Sequence, residues 1–270
     1  MPSGLSYKVH TAGELGMHKT SVLVMGESEA LLIDGQFTLA DQHRVVADVI
    51  DSGKSLTTVF VSAADPDYYF GLQVVLQAFP DVKIICTPAT LAKIEATWKQ
   101  KLRTWESHLG RNLATEVVIP TLVGTDHFTL EGHVFEIRGG HPDMVWRTEY
   151  VWQGEDRAVL GGALLWDGLH AWTADSPTAA ERVAWDTVLA QVAALDPQLV
   201  VAGHAAVGAS QDATVIAANR AYLAAFEQEL AGAADAAAVQ AAMLRRYPDL
   251  GLGVALDHGS KVATGEMTWG

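Results

Sequence analysis

Two carboxylates and a phenol stand close together in Ser62-Ala63-Ala64-Asp65-Pro66-Asp67-Tyr68-Tyr69. Asp65 and Asp67 are two residues apart. Confining two carboxylates disfavours ionising both, which raises one apparent pKa toward neutrality and suits it to moving protons. Tyr68 offers an O–H that can stabilise a developing oxyanion. The same residues have a plain structural use: an Asp in such a loop commonly binds loop amides or caps the next helix.

The loop takes its place from its neighbours. The apolar, β-branched run 56–61 reads as a buried strand, and Gly71-Leu72 opens an apolar-periodic segment that reads as a helix ended by Pro80. The loop therefore lies at the carboxyl end of a strand, where open α/β sheets gather ligands. His141, in Gly139-Gly140-His141-Pro142-Asp143, sits in another turn at a strand end. His204, in Ala202-Gly203-His204, turns out of the strand 199–201. A histidine beside the carboxylates would serve as acid or base near pH 7.

Around these residues the pattern predicts strands over 21–25 and 30–34 joined by a hairpin turn, a helix over 39–50 and a strand over 82–86. A long helix follows from Thr87-Pro88 to about His108, with Trp98 and Trp105 on one face. Residues 110–123 look irregular. Hairpins are predicted over 128–137 and 149–160, a helix over 178–195, and Ala-rich helices over 213–230 and 235–247, the last capped by Asp235. Strands with helices outside them recur before and after Gly110. This predicts an α/β (α+β) fold of two mixed sheets, a four-layered αββα sandwich. No linker interrupts the chain, so 1–270 reads as one domain, with a motif-bearing part over about 20–205 and a helical part over 210–250.

Of the 270 residues, 49% are hydrophobic and 19% charged, which supports a large core and excludes disorder. The net charge of −14 argues against nucleic acid or an anionic membrane as partner. The lone Cys86 has no disulfide partner and reads as a small buried hydrophobe. There is no secretory signal pattern and no apolar run long enough to span a bilayer. The expectation is a soluble cytoplasmic protein with a small-molecule partner; its oligomeric state stays open. No nucleophile elbow is present, and Gly251-Leu252-Gly253 lacks the rest of a nucleotide motif.

The strand–loop–helix resembles the signature segment of the metallo-β-lactamase superfamily, which reads His-x-His-x-Asp-His at this strand end. Ala63, Asp65, Asp67 and Tyr68 stand in that register, so all three histidines are replaced. The resemblance spans about residues 20–205 and implies the four-layered fold and hydrolysis of a small ester, lactone, thioester or amide. Members that keep their pocket hold one or two metal ions, usually zinc. Carried over, the first-ion positions are Ala63, Asp65 and His141, and the second-ion positions are Asp67, Tyr68 and His204. The bridging carboxylate falls at Gly162. Asp65, Asp67, His141 and His204 survive as ligands, with Tyr68 a weak fifth. Each half-site keeps two good ligands, fewer than a zinc site uses, and the bridge is gone, so a dinuclear centre is not expected. One divalent cation, such as zinc, held by the four survivors stays open.

The stretch from Trp166 to Asp175 resembles a segment beside the metal site in one branch of the superfamily. It makes Trp166, His170 and Trp172, with Tyr69 from the loop, candidates for a substrate-binding wall; ordinary packing is the alternative for each. Two classes of function follow. One is a small-molecule enzyme working through Asp65, Asp67, Tyr68, His141 and His204: hydrolase-like, a metal-independent acid–base lyase, isomerase or cyclase, or a mononuclear metal hydrolase. The other is a non-catalytic small-molecule-binding protein. Ala63 and Gly162 read as loss, whereas Asp65 and Tyr68 put titratable groups where histidines stood, which favours an enzyme.

Overall fold

A computed structural model describes residues 3–269. Six strands form the first sheet in the order β1 (Ser6–Thr11), β2 (Thr20–Met25), β3 (Glu29–Ile33), β4 (Ser55–Val61), β5 (Lys83–Cys86) and β6 (Thr121–Leu122). The first three are antiparallel, and β3 through β6 run parallel. The second sheet contains β7 (His127–Leu130), β8 (His133–Arg138), β9 (Tyr150–Gln153), β10 (Ala158–Leu160) and β12 (Leu199–Val200). It is antiparallel except where β10 meets β12. The short strands β11 (Trp166–Asp167) and β13 (His204–Ala205) pair separately, parallel, with Trp166 opposite His204.

Side-chain alternation sorts the core into two parts. Val22, Val24, Leu31, Ile33 and Phe60 of the first sheet meet Phe128, Leu130, Phe135, Val151 and Leu160 of the second in a dry layer between the sheets. Phe60 stacks on Phe128 with ring centroids 4.8 Å apart. The intervening residues, among them Leu23, Leu32, Val59 and Val159, point outward into a core built with the helices. Helices α1 (Leu39–Ser52), α2 (Leu72–Ala78) and α3 (Pro88–Leu109) connect strands of the first sheet, and α4 (Ala179–Ala194) precedes β12 in the second. The result is the αββα layering expected from the pattern.

Local signals explain most helix boundaries. Thr38 caps α1, and Gly53 ends it in the left-handed region. Thr178 and Glu181 form a capping box at α4. Asp235 accepts from the Ala238 amide and starts α6 (Ala236–Arg246), as expected. Several elements escape the sequence pattern, among them β11 and β13. Strands β1 and β6 carry weak signals, β6 being two exposed residues in the segment read as irregular. Helix α7 (Gly253–Ala263) extends the helical part well past 250. No helix among the described residues is long and apolar enough to cross a membrane.

Helix α5 (Thr214–Gly232) fixes the segment after β10. Asn219 accepts the Trp166 amide and donates to its carbonyl, both at 3.0 Å. His170, expected on the pocket wall, is instead fully buried against α5, its Nδ1 3.1 Å from the Tyr222 hydroxyl and its Nε2 without a partner. Burial holds its pKa below the ordinary imidazole value, so the folded protein keeps it neutral. As pH falls below about 6.5 the unfolded chain takes up a proton that the folded chain refuses, and stability is lost at up to about 1.4 kcal/mol per pH unit. Denaturant unfolding between about pH 6.5 and 5 should show a shallower loss in His170→Phe than in the parent. Parallel slopes would mean that His170 does not set this acid sensitivity.

Candidate active site

The loop after β4 is anchored on a buried polar relay. The Ser62 amide and hydroxyl donate to the Asp34 carboxylate at 2.7 and 2.8 Å, and the Gly162 amide donates to Ser62 Oγ at 2.7 Å. Burial raises the Asp34 pKa, against the pull of Lys19, 3.3 Å away, and of Ser62. This relay ties the ends of β3, β4 and β10 together before the loop turns through a 3-10 segment, Pro66–Tyr68, into α2. Asp67 does not cap α2, whose N-cap Gly71 receives no side-chain bond.

Tyr68 serves this relay and not the cavity. Its hydroxyl donates to the Gly162 carbonyl at 3.0 Å, and the Lys19 ammonium lies 4.0 Å from its ring centroid. Burial, reinforced by Asp67, Asp34 and Asp65, pushes the phenol far above its ordinary pKa, so it stays protonated and committed. Tyr69, the other aromatic of the loop, is fully buried and packs edge-on against Phe70, away from the expected wall.

Asp65 and Asp67 point into a cavity of about 290 Å³. His204 reaches it from β13, and Trp166, opposite in the pairing, stacks on the imidazole with centroids 3.9 Å apart and planes 5° from parallel. The His204 Nδ1 lies 2.8 Å from the Met17 carbonyl, which only accepts, so Nδ1 carries a hydrogen. Nε2 then faces Asp67 Oδ2 at 3.1 Å. The approach lacks in-line geometry, which leaves the buried Asp67 Oδ2 without a directional donor.

Asp65 makes a different bond. Arg147 Nη1 donates to it at 2.6 Å and reaches Asp175 at 3.3 Å, while Nη2 donates to the Trp172 carbonyl at 3.1 Å. Lys101 of α3 donates to the Ala64 carbonyl at 3.0 Å and lies 3.5 Å from Asp65. Burial alone would raise the Asp65 pKa, but Arg147 and Lys101 outweigh it and hold the carboxyl below its ordinary value. Asp175 goes the other way, raised by burial and by Asp65 against the pull of Arg147.

The structure thus brings Asp65, Asp67, His204, Trp166 and Trp172 to one cavity and leaves Tyr68, Tyr69, His141 and His170 off its lining. His141 begins a 3-10 segment, Pro142–Arg147, and accepts from the Asp143 amide at 3.3 Å. That segment delivers Arg147 to the cavity. Arg147, Lys101, Asp175 and the aromatic residues Phe37, Trp105 and Trp269 also line it; the sequence reading assigned none of them to the site. Only α3 carried a readable signal. Lys93, Thr97, Gln100, Lys101, Thr104 and Trp105 follow helical spacing and form one wall.

The side chains present do not fit the zinc that the resemblance implies. The carboxylate at the first-ion position is bonded to an arginine and a lysine, and His141 does not join it. Gly162 stands at the bridging position with φ +77°, and a Cβ there would lie 2.4 Å from the Glu149 carbonyl oxygen. Among the described residues no group of three or more His, Cys, Asp or Glu side chains is arranged to hold a metal ion.

No protein-family model and no curated relative matches the sequence. Solved structures do match in fold. The metallo-β-lactamase from Pontibacter korlensis aligns with a TM-score of 0.59 at 15% identity, covering 83% of this chain and 96% of its own. The DIM-1 metallo-β-lactamase aligns with a TM-score of 0.55 at 14% identity, covering 83% and 94%. The chain has the metallo-β-lactamase fold.

Arg147 compensates two buried carboxylates, and removing one member of a buried ion cluster costs about 3–5 kcal/mol. Urea unfolding of Arg147→Met should show a loss of that order. Lys101→Met, which removes a longer and less buried contact, should lose about 1 kcal/mol or less. Equal losses would contradict the assigned roles.

Proposed function

We propose that this chain is a small-molecule enzyme on a hydrolase-like scaffold, working by proton transfer through Asp67 and His204 and not through a metal-bound water. The observation that carries this reading is the 3.1 Å approach of His204 Nε2 to Asp67 Oδ2 at a cavity wall. A base needs a fixed tautomer and a bound proton acceptor within reach of the substrate. The Met17 carbonyl fixes the imidazole, and Trp166 holds its plane.

The roles follow from the contacts. The Asp67–His204 pair takes a proton from a bound molecule, or from a water attacking it, and returns it to the leaving atom. Arg147 and Lys101 lie along the same cavity and offset negative charge developing on the substrate. Asp65 positions Arg147 and does not act as the base, because two cations hold its carboxyl below its ordinary pKa and make it a weak proton acceptor. This assignment accommodates hydrolysis of an activated ester or lactone, and equally an elimination, isomerisation or cyclisation that needs only proton movement.

The test is turnover of an ester, lactone and thioester panel, with and without a chelator, by the parent and by Asp67→Asn and His204→Gln. The expected result is chelator-insensitive turnover that falls by about 10²- to 10⁴-fold in each variant, the usual contribution of a general base. Turnover restored only by added metal, or unchanged in both variants, would overturn the proposal.

A further inference from the structure

The cations that line the cavity are held by carboxylates except at one place. Arg147 and Lys101 are both bonded to Asp65, Arg147 also reaches Asp175, and Asp67 faces His204. Lys93, on the same face of α3, has no carboxylate partner among the described residues. Its ammonium lies 5.2 Å from the Trp146 ring centroid. Of the three cations that line the cavity, Lys93 is therefore the one that no carboxylate holds. It stands eight residues before Lys101, about 12 Å along the helix from the Asp65 end.

The walls are aromatic. Trp269 packs edge-on against Trp172 at 5.3 Å and against Trp105 at 6.4 Å, Phe37 meets Trp105 at 5.1 Å, and Trp166 covers His204. These indoles present flat apolar surface on several sides of a space whose volume, about 290 Å³, suits one or two fused rings. Sites of this kind fix orientation with a few polar groups and take affinity from the apolar walls. At the far end Asp67 Oδ2 is buried and lacks a directional donor.

We propose that the cavity takes a flat aromatic carboxylate, its acid group bound by Lys93, its rings among Trp105, Trp172 and Trp269, and its reacting end at Asp67 and His204. An ammonium bound to a carboxylate is a charge-assisted contact, and a neutral amide of the same shape forfeits most of it. The acid group selects the substrate and takes no part in the proton transfer. This names the substrate class of the proposed enzyme and rests on the same cavity being the reaction site.

Binding is measured by calorimetry with 2-naphthoate and 2-naphthamide as probes, on the parent, Lys93→Met, Lys93→Arg and Trp269→Ala proteins. The parent should prefer the acid. Lys93→Met should weaken 2-naphthoate about tenfold, the equivalent of one charge-assisted contact, and leave 2-naphthamide unchanged. Lys93→Arg should restore the acid preference, and Trp269→Ala should weaken both probes alike. Equal affinity of acid and amide in the parent, an unaltered 2-naphthoate affinity in Lys93→Met, or binding of neither probe would overturn the inference. Because binding is read without turnover, Lys93-dependent binding alongside panel turnover that is unchanged in Asp67→Asn and His204→Gln would refute the acid–base reading and leave this one standing.

Discussion

The structure turns on one buried cation. The Arg147 guanidinium sits between Asp65 and Asp175 and also bonds the Trp172 carbonyl, with almost none of its surface exposed. Taking a charge out of water costs several kcal/mol even after relaxation. Such a cluster persists only when its charges are matched, and here two carboxylates and a carbonyl meet the two Nη atoms of one guanidinium, with Lys101 added from α3 and Nε left without a partner. The contacts join four separate parts of the chain: the strand-end loop, the segment after β8, the segment after β11, and α3. On this fold a strand-end loop can be organised by ligands gathered around metal ions. In this chain the charges that meet Asp65 are those of Arg147 and Lys101.

A second set of bonds holds the backbone to which those side chains are attached. Asp34, Ser62 and the Gly162 amide form a closed relay beneath the loop, with Lys19 and the Tyr68 hydroxyl completing it. Tyr68 therefore stabilises the turn opposite the loop and offers nothing to a substrate. The distinction matters for mechanism. In the proposed mechanism Asp67 and His204 move the proton, while Asp65 keeps Arg147 in place.

What the sequence disclosed follows the range of the interactions. The strand, loop and helix around Asp65 come from a continuous apolar run and its punctuation, so they were readable. Asp67, His204, Trp166 and Trp172 were reached through register with a recognised pattern. The same register misled at His141. The segment that begins there folds back on Asp143 and presents Arg147, a residue with no motif around it. Asp175 joins the cluster, and Trp269 the cavity lining, only through tertiary packing. Sequence spacing carries no trace of such meetings. His170 failed for a related reason: an Asn219 clamp on Trp166 turns the following residues toward α5.

The central claim is that the Asp65 carboxylate is committed to Arg147 and Lys101. Crystals of the protein soaked in zinc and measured at the zinc absorption edge test it directly. The account predicts no anomalous peak within bonding distance of Asp65, Asp67 or His204, with Arg147 still paired to Asp65. A strong peak coordinated by two or more of those three side chains, with Arg147 displaced, would contradict it.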